Sequence, residues 1–263
     1  GAIFQRLGEN QKAKECFEKA IEINPNYSDA HNNLGNILKE LGEHQKAKEC
    51  YEKAIEIDPN HVDAHNNLGV IFKDLGENQK AKECFEKAIE IDPNHVDAHN
   101  NLGVVFEELK EYQKAKECYE KAIEIDPNHV DAHNNLGVIF KDLGENQKAK
   151  ECFEKAIEID PNHVDAHNNL GVVFEELKEY QKAKDCYEKA IEINPNHVDA
   201  HNNLGVVFKE LKEYQKAKEC FEEAIEIDPN HIVAHKHLST LHIRTLDDLE
   251  KSINLSYKSL KVF

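Results

Sequence analysis

The stretch His61–Gly69 reads HVDAHNNLG, and the same nine letters return at His95, His129, His163 and His197, each copy 34 residues after the last. Two histidines four apart, with a carboxylate between them and a pair of asparagines behind, raise two readings: a metal site, or the packing and binding code of a repeat. The rest of the chain favours the repeat. All seven prolines, from Pro25 to Pro229, keep the same 34-residue interval, and a fixed period of that length marks stacked supersecondary units. Counted from Ser28, six complete units span 28–61, 62–95, 96–129, 130–163, 164–197 and 198–231. A partial unit (1–27) precedes them, and a degenerate one (232–263) follows, expected to form capping helices because Ser252, Ser256 and Ser259 interrupt its apolar pattern. A 68-residue period lies over the first: Pro59–Asp92 is letter for letter Pro127–Asp160, while Pro93–Asp126 and Pro161–Asn194 differ only at Glu117/Asp185 and Asp126/Asn194. Two alternating repeat types have been duplicated as a pair.

Within a unit, Ala64, Leu68, Ile71 and Leu75 fall at i, i+4, i+7 and i+11, and Ala81, Phe85, Ala88 and Ile89 form a second apolar stripe after a short break. Each unit therefore predicts two amphipathic helices. Gly76 sits where a left-handed residue closes the first helix; Lys110, Lys178 and Lys212 hold that place in the alternate repeats, at a cost of roughly 1 kcal/mol if the conformation is kept. Pro93 stops the second helix, and Asn94 with Asp97 reads as the cap of the next.

Composition agrees with thin, modular cores. Charged residues make up 32% and apolar residues 40%, with no Trp and no Met to fill the interior of one large globule. The formal net charge of −18 repels nucleic-acid phosphates and anionic membrane surfaces, which favours a neutral or basic partner. No apolar run approaches the roughly eighteen residues that a membrane helix needs. The chain opens at Gly1 in mid-pattern and reads as a fragment.

The residues at these points resemble tetratricopeptide repeats. Leu68, Gly69, Phe72, Ala81, Phe85, Ala88 and Pro93 match that family's 34-residue pattern, as do their equivalents in the other complete copies, except that Leu38 replaces Phe72 in the first. Where the family usually has Trp in the first helix, this chain has histidine, from His31 to His235. The resemblance implies an all-α fold, a right-handed α-solenoid of stacked helix-turn-helix repeats. Gly69 and Ala81 would let the paired helices approach, with Phe72 and Phe85 filling the space between them and the next repeat.

His61 and His65 share one helix face, but two imidazoles make a weak metal site, and Asp63 projects from the opposite side. His65 reads as a half-buried packing residue and His61 as a loop residue; no metal or cofactor is expected. Seven cysteines, from Cys16 to Cys220, recur every 34 residues on equivalent helices, too far apart for disulfides, and read as small apolar residues kept reduced in a cytoplasmic setting. Catalysis needs one asymmetric set of groups, whereas nearly every polar group here recurs in the same local setting, so the chain reads as non-enzymatic.

The asparagines are the candidate site. Asn33, Asn67, Asn101, Asn135, Asn169 and Asn203 each precede the Leu-Gly pair, an arrangement that resembles the asparagine ladder in the superhelix of O-linked N-acetylglucosamine transferases. By that resemblance the first helices line a concave groove in which amides grip an extended peptide backbone. The other reading keeps these amides internal, bridging neighbouring helices. Asn66, Asn100, Asn134 and Asn168 would accompany the ladder, with Asp97, Asp131 and Asp165 at one end of the helices and Glu108, Asp142 and Glu176 at the other. A lysine–asparagine clamp for acidic chaperone tails is not present: its places hold Asn66 and Val70. The function expected is a scaffold holding an extended, neutral to basic protein segment, with oligomeric state open. The alternative is the substrate-recognition arm of a larger enzyme, such as a glycosyltransferase.

Overall fold

The computed structural model describes residues 1–241, and every regular element among them is helical. A short α1 (Ala2–Arg6) is followed by α2 (Asn10–Ile23), α3 (Ser28–Glu40), α4 (His44–Ile57), α5 (Val62–Asp74), α6 (Asn78–Ile91), α7 (Val96–Glu108), α8 (Tyr112–Ile125) and α9 (Val130–Asp142). Then come α10 (Asn146–Ile159), α11 (Val164–Glu176), α12 (Tyr180–Ile193), α13 (Val198–Glu210) and α14 (Tyr214–Ile227). Residues 232–241 are helical, with Ala234 and Leu241 buried; the serines of the expected capping segment lie outside the described residues. The chain divides into two compact units, Gly1–Asn135 and Leu136–Phe263.

Each repeat is a helical hairpin because its turn is fully specified. Gly76 adopts φ +72°, its N–H reaching the Lys73 carbonyl at 2.8 Å while the Glu77 N–H reaches Phe72 at 2.8 Å. That pair of reverse bonds ties off the carbonyls a helix end leaves open. Lys110, Lys178 and Lys212 hold the same left-handed conformation, with φ of 61°, 60° and 62°. The hairpin closes tightly around one aromatic: a Cβ on Gly69 would lie 2.6 Å from the Phe85 ring, and one on Gly103 would lie 2.5 Å from Tyr119. Ala81, Phe85 and Ala88 are fully buried, as are Ala115, Tyr119 and Ala122 in the other repeat type. Phe72 is buried at the joint with the preceding repeat, where the ammonium groups of Lys48 and Lys80 lie 5.1 and 5.3 Å from its ring centre.

The helix starts differ from the sequence reading. Asn94 is not a cap: its backbone N–H is taken by the Asp92 carboxylate at 2.9 Å, and the helix begins two residues later. The cap is His95, whose Nδ1 accepts the Ala98 N–H at 3.1 Å, and His61, His129, His197 and His231 do the same for their helices. Histidine is an unusual cap. It serves here because an unprotonated ring nitrogen accepts a hydrogen bond as a carboxylate or hydroxyl oxygen would. Asp97 does sit in the first turn, favourably placed against the helix dipole.

Within each unit, successive first helices touch: α3 meets α5 and α5 meets α7 in one, and α11 meets α13 in the other. Among the described residues no comparable contact joins α4 to α6, α6 to α8 or α12 to α14. Within each unit the first helices therefore pack side by side, and the second helices make no comparable contact with one another among the described residues.

Candidate peptide-binding face

Asp63, Asn66, Asn67 and Asp74 fall at i, i+3, i+4 and i+11 of α5, one stripe along the helix. Asn66 is buried and Asn67 half-buried, and the same division holds for Asn100 with Asn101, Asn134 with Asn135, and Asn202 with Asn203. Asn168 and Asn169 are both half-buried, as is Asn33. The half-buried member reaches back one repeat. Asn67 Nδ2 donates to the Oδ1 atoms of Asn32 and Asn36 at 3.0 and 3.1 Å, Asn101 to Asn66 at 3.1 Å, Asn135 to Asn100 at 3.1 Å and Asn203 to Asn168 at 3.2 Å. Asn134 and Asn202 in turn donate to Asn135 and Asn203 at 3.4 and 3.3 Å. Thus these amides do bridge neighbouring first helices. An amide carries two N–H groups and a carbonyl with two lone pairs, so one such bond fixes the group's orientation and leaves hydrogen-bonding capacity beside it.

The carboxylates border this row. Asp97, Asp131 and Asp165 are exposed in the first turns of α7, α9 and α11, and Glu108, Asp142 and Glu176 are exposed in their last turns. The first-turn acids are drawn into a second link between repeats. His95 Nε2 lies 3.3 Å from Asp63, and His61, His129, His197 and His231 bind Asp29, Asp97, Asp165 and Asp199 at 3.2 to 3.3 Å. With Nδ1 accepting the cap bond, the neutral ring carries its proton on Nε2 and donates it to the aspartate. The Asp63 carboxylate in return holds the His95 pKa above its ordinary value, and His95 holds that of Asp63 below its own. His61 is therefore a buried cap and inter-repeat bridge rather than a loop residue, while His65 binds the Pro59 carbonyl at 3.0 Å. Both rings of the pair are engaged within the fold. No group of three or more His, Cys, Asp or Glu side chains suited to a metal ion occurs among the described residues.

One set of functional side chains was missed from sequence. The buried Tyr119 hydroxyl donates to Glu107 Oε2 at 3.0 Å, and that of Tyr187 to Glu175 at 3.1 Å. Where the aromatic is Phe85, Phe153 or Phe221, the glutamate's place is held by Lys73, Lys141 or Lys209. In the first complete repeat, with Lys39 there, Tyr51 donates instead to Asn36 at 2.8 Å. The signal was legible: a tyrosine accompanies an acceptor twelve or fifteen residues earlier. The cysteines behave as small apolar residues, half-buried, with burial pushing the Cys84 thiol up to about 11 and Cys118 up to about 12.

The surplus charge is unevenly placed. Helices α4, α6, α8, α10 and α12 each balance three lysines against three acids, and the lysines pair locally, as Lys82 does with Glu86 at 3.6 Å and Lys87 with Glu90 at 3.0 Å. Helices α7 and α11 each carry three acids and no base.

The family model described as "Tetratricopeptide repeat" matches residues 28–61, 62–95, 96–129, 130–163, 164–197 and 198–231, and one described as "TPR repeat" matches 1–42. The chain belongs to the tetratricopeptide repeat family. It is, as such, a protein-interaction scaffold built as a helical solenoid. Its fold is similar to that of a chain in the crystal structure of the APC/C hetero-tetramer Cut9–Hcn1 (TM-score 0.82, 20% identity), the match covering 91% of this chain and 47% of that one. It therefore spans about half the length of that relative. Pseudomonas aeruginosa PilF matches with a TM-score of 0.73 at 24% identity, over 81% of this chain and 97% of that one. YrrB, described as a TPR protein with an unusual peptide-binding site, matches with a TM-score of 0.55 at 30% identity, over 71% of this chain and 96% of that one. A comparison with curated protein sequences finds no match. No helix among the described residues is long and apolar enough to cross a membrane.

Proposed function

We propose that the first-helix layer holds an extended segment of a partner protein, neutral to basic in charge. The observation that carries this reading is the segregation of charge: the second helices are nearly all balanced, while the first helices display acids beside a row of oriented amides. Asn101 and Asn135 keep a second N–H, and these two with Asn67 keep carbonyl lone pairs, a set that suits any peptide backbone, while Asp74 and Glu108 attract its cations. The same field disfavours nucleic acid and anionic membranes. YrrB, at 30% identity, supplies a precedent for peptide binding in a related array. The neutral thiols suit a reducing compartment, and we place the protein in the cytoplasm.

A peptide-library selection tests the reading. Basic or neutral extended sequences are expected to be enriched, and the exposed reversals Asp74→Lys with Glu108→Lys to weaken their binding roughly tenfold at physiological salt. Replacing Asn67, Asn101 and Asn135 together by Ala is expected to weaken binding at every salt concentration, with helicity by circular dichroism unchanged. Enrichment of acidic sequences, or undiminished binding by both variants, would falsify the proposal.

A further inference from the structure

The first-turn aspartates of the first-helix layer are backed by histidines that can cancel their charge. Asp63 lies one turn before Asn67 on α5, and Asp97 one turn before Asn101 on α7, so both carboxylates border the amide row. His95 Nε2 holds one oxygen of Asp63 at 3.3 Å, and His129 Nε2 holds one oxygen of Asp97 at 3.2 Å. The partners differ in exposure: the His95 side chain is 14% accessible and that of Asp63 67%. The carboxylate therefore faces solvent with the imidazole behind it. While the ring is neutral, the pair presents a full negative charge to whatever lies on the layer. A proton taken up at Nδ1 makes an imidazolium at contact distance, and the net charge of the pair falls to zero.

Nδ1 of His95 is also the acceptor for the Ala98 N–H, so uptake opens that cap bond. The surrounding acids favour uptake against this loss. Those facing His95 are Asp63 on α5, Asp97 on α7 and Asp92 at the end of α6; those facing His129 are Asp97, Asp131 on α9 and Asp126 at the end of α8. The second unit has the same pairs in His197 with Asp165 and His231 with Asp199, each at 3.3 Å. Lys and Arg of a partner do not titrate in the histidine range, so only the layer's side of the attraction changes with pH.

We propose that the histidine–aspartate pairs make partner binding proton-sensitive: the layer holds a basic segment while the cap histidines are neutral and releases it on acidification. This rests on the first-helix layer being the face that holds the segment.

The test measures, by fluorescence anisotropy at constant ionic strength, the affinity of the full chain for an acetylated, amidated dodecapeptide of alternating Ser and Lys. The same peptide with norleucine for Lys is the control. Between about pH 8 and about pH 6 the parent is expected to lose affinity for the Lys peptide roughly fivefold, and to hold the norleucine peptide unchanged. In a variant with His61, His95, His129, His163, His197 and His231 all changed to Asn, the affinity for the Lys peptide is expected to be the same at both pH values. Asn accepts a cap bond as histidine does but takes no proton, and circular dichroism at both pH values checks the fold. Asp63→Asn with Asp97→Asn, Asp165→Asn and Asp199→Asn gives an independent reading: weaker binding of the Lys peptide than the parent at about pH 8, and little further loss at about pH 6. An affinity that does not fall in the parent, an equal fall for the norleucine peptide, or a fall that survives in the histidine variant overturns the inference. If Asp74→Lys with Glu108→Lys still weakens binding, the peptide-binding reading stands without the proton gate. No binding of the Lys peptide at either pH overturns both.

Discussion

Residues 62–95 and 96–129 are two versions of one hairpin. Both bury an aromatic ring against a glycine and both close their turn with a left-handed residue. They differ at six positions, and three of these change the core hydroxyl, the charge at one first-helix position and the turn residue: Phe85, Lys73 and Gly76 against Tyr119, Glu107 and Lys110. The hydroxyl and the charge belong together. A buried phenol needs an acceptor, and the first-helix positions within its reach are those held by Asn36 in one repeat and Glu107 in another. Between these two repeats the core hydroxyl and the sign of the first-helix charge thus change together, whereas Tyr51 uses Asn36 as its acceptor and leaves Lys39 in place.

The largest effect expected comes from breaking that coupling. Phe85→Tyr alone points a hydroxyl at Val70 and Lys73, neither of which accepts, and is expected to cost about 1–3 kcal/mol in urea unfolding. Adding Lys73→Glu is expected to restore most of the loss, so the double-mutant cycle should give a favourable coupling well outside error. Simple additivity would show that the two differences are unrelated.

The turn sharpens the comparison on a smaller scale. A side chain at Gly76 would meet nothing within 4 Å, so only its φ of +72° opposes substitution. Lys110→Gly is expected to stabilise the chain by about 0.5–1 kcal/mol, and Gly76→Lys to destabilise it by a similar amount. Equal midpoints for parent and variants would mean that the left-handed lysines carry no strain.

The smallest effect should be shared by both repeat types. His95, His129 and His197 have raised pKa values because each imidazole binds an aspartate of the preceding repeat. Stability from this source is full below the ordinary histidine value of about 6.5 and is lost as pH rises through the raised folded value. Asp63, Asp97 and Asp165 are lowered by the same bonds, so their part is full above about 3.8 and is lost as pH falls through the depressed value. Protonating Nδ1 removes the cap acceptor, worth about 1 kcal/mol, which offsets much of the gain. A shallow maximum in melting temperature between about pH 4 and 6.5 is expected. It should flatten in the Asp63→Asn, Asp97→Asn variant, and a maximum that persists there would remove the ion pairs as its cause.

The hairpins were legible in the sequence because period, proline and glycine placement, and apolar spacing are all local along the chain. Leu68, Gly69, Ala81 and Phe85 announce their contacts within one unit. The links between units were not legible in the same way. Asn67 meets Asn32 and His61 meets Asp29 at separations of 35 and 32 residues, which depend on how one hairpin stacks on the next. The cap at His95 was hidden for another reason: an imidazole accepts or donates according to its tautomer, and the letter does not say which. Asn94 was the better cap by residue type, but the helix starts at Val96, which puts His95 and not Asn94 at the capping position.

The reach of those links, always one module back to the same residue types, bears on how such a gene changes length. Excise residues 62–95 and His61 would cap the helix that begins at Val96, still bound to Asp29, while Asn101 would find Asn32 where it had found Asn66. Recombination between near-identical 34- or 68-residue segments therefore leaves no mismatched junction, and the 68-residue step also preserves the order of tyrosine and phenylalanine repeats. The array is a ruler whose length can drift between generations by whole divisions, without any other part of the protein having to adapt.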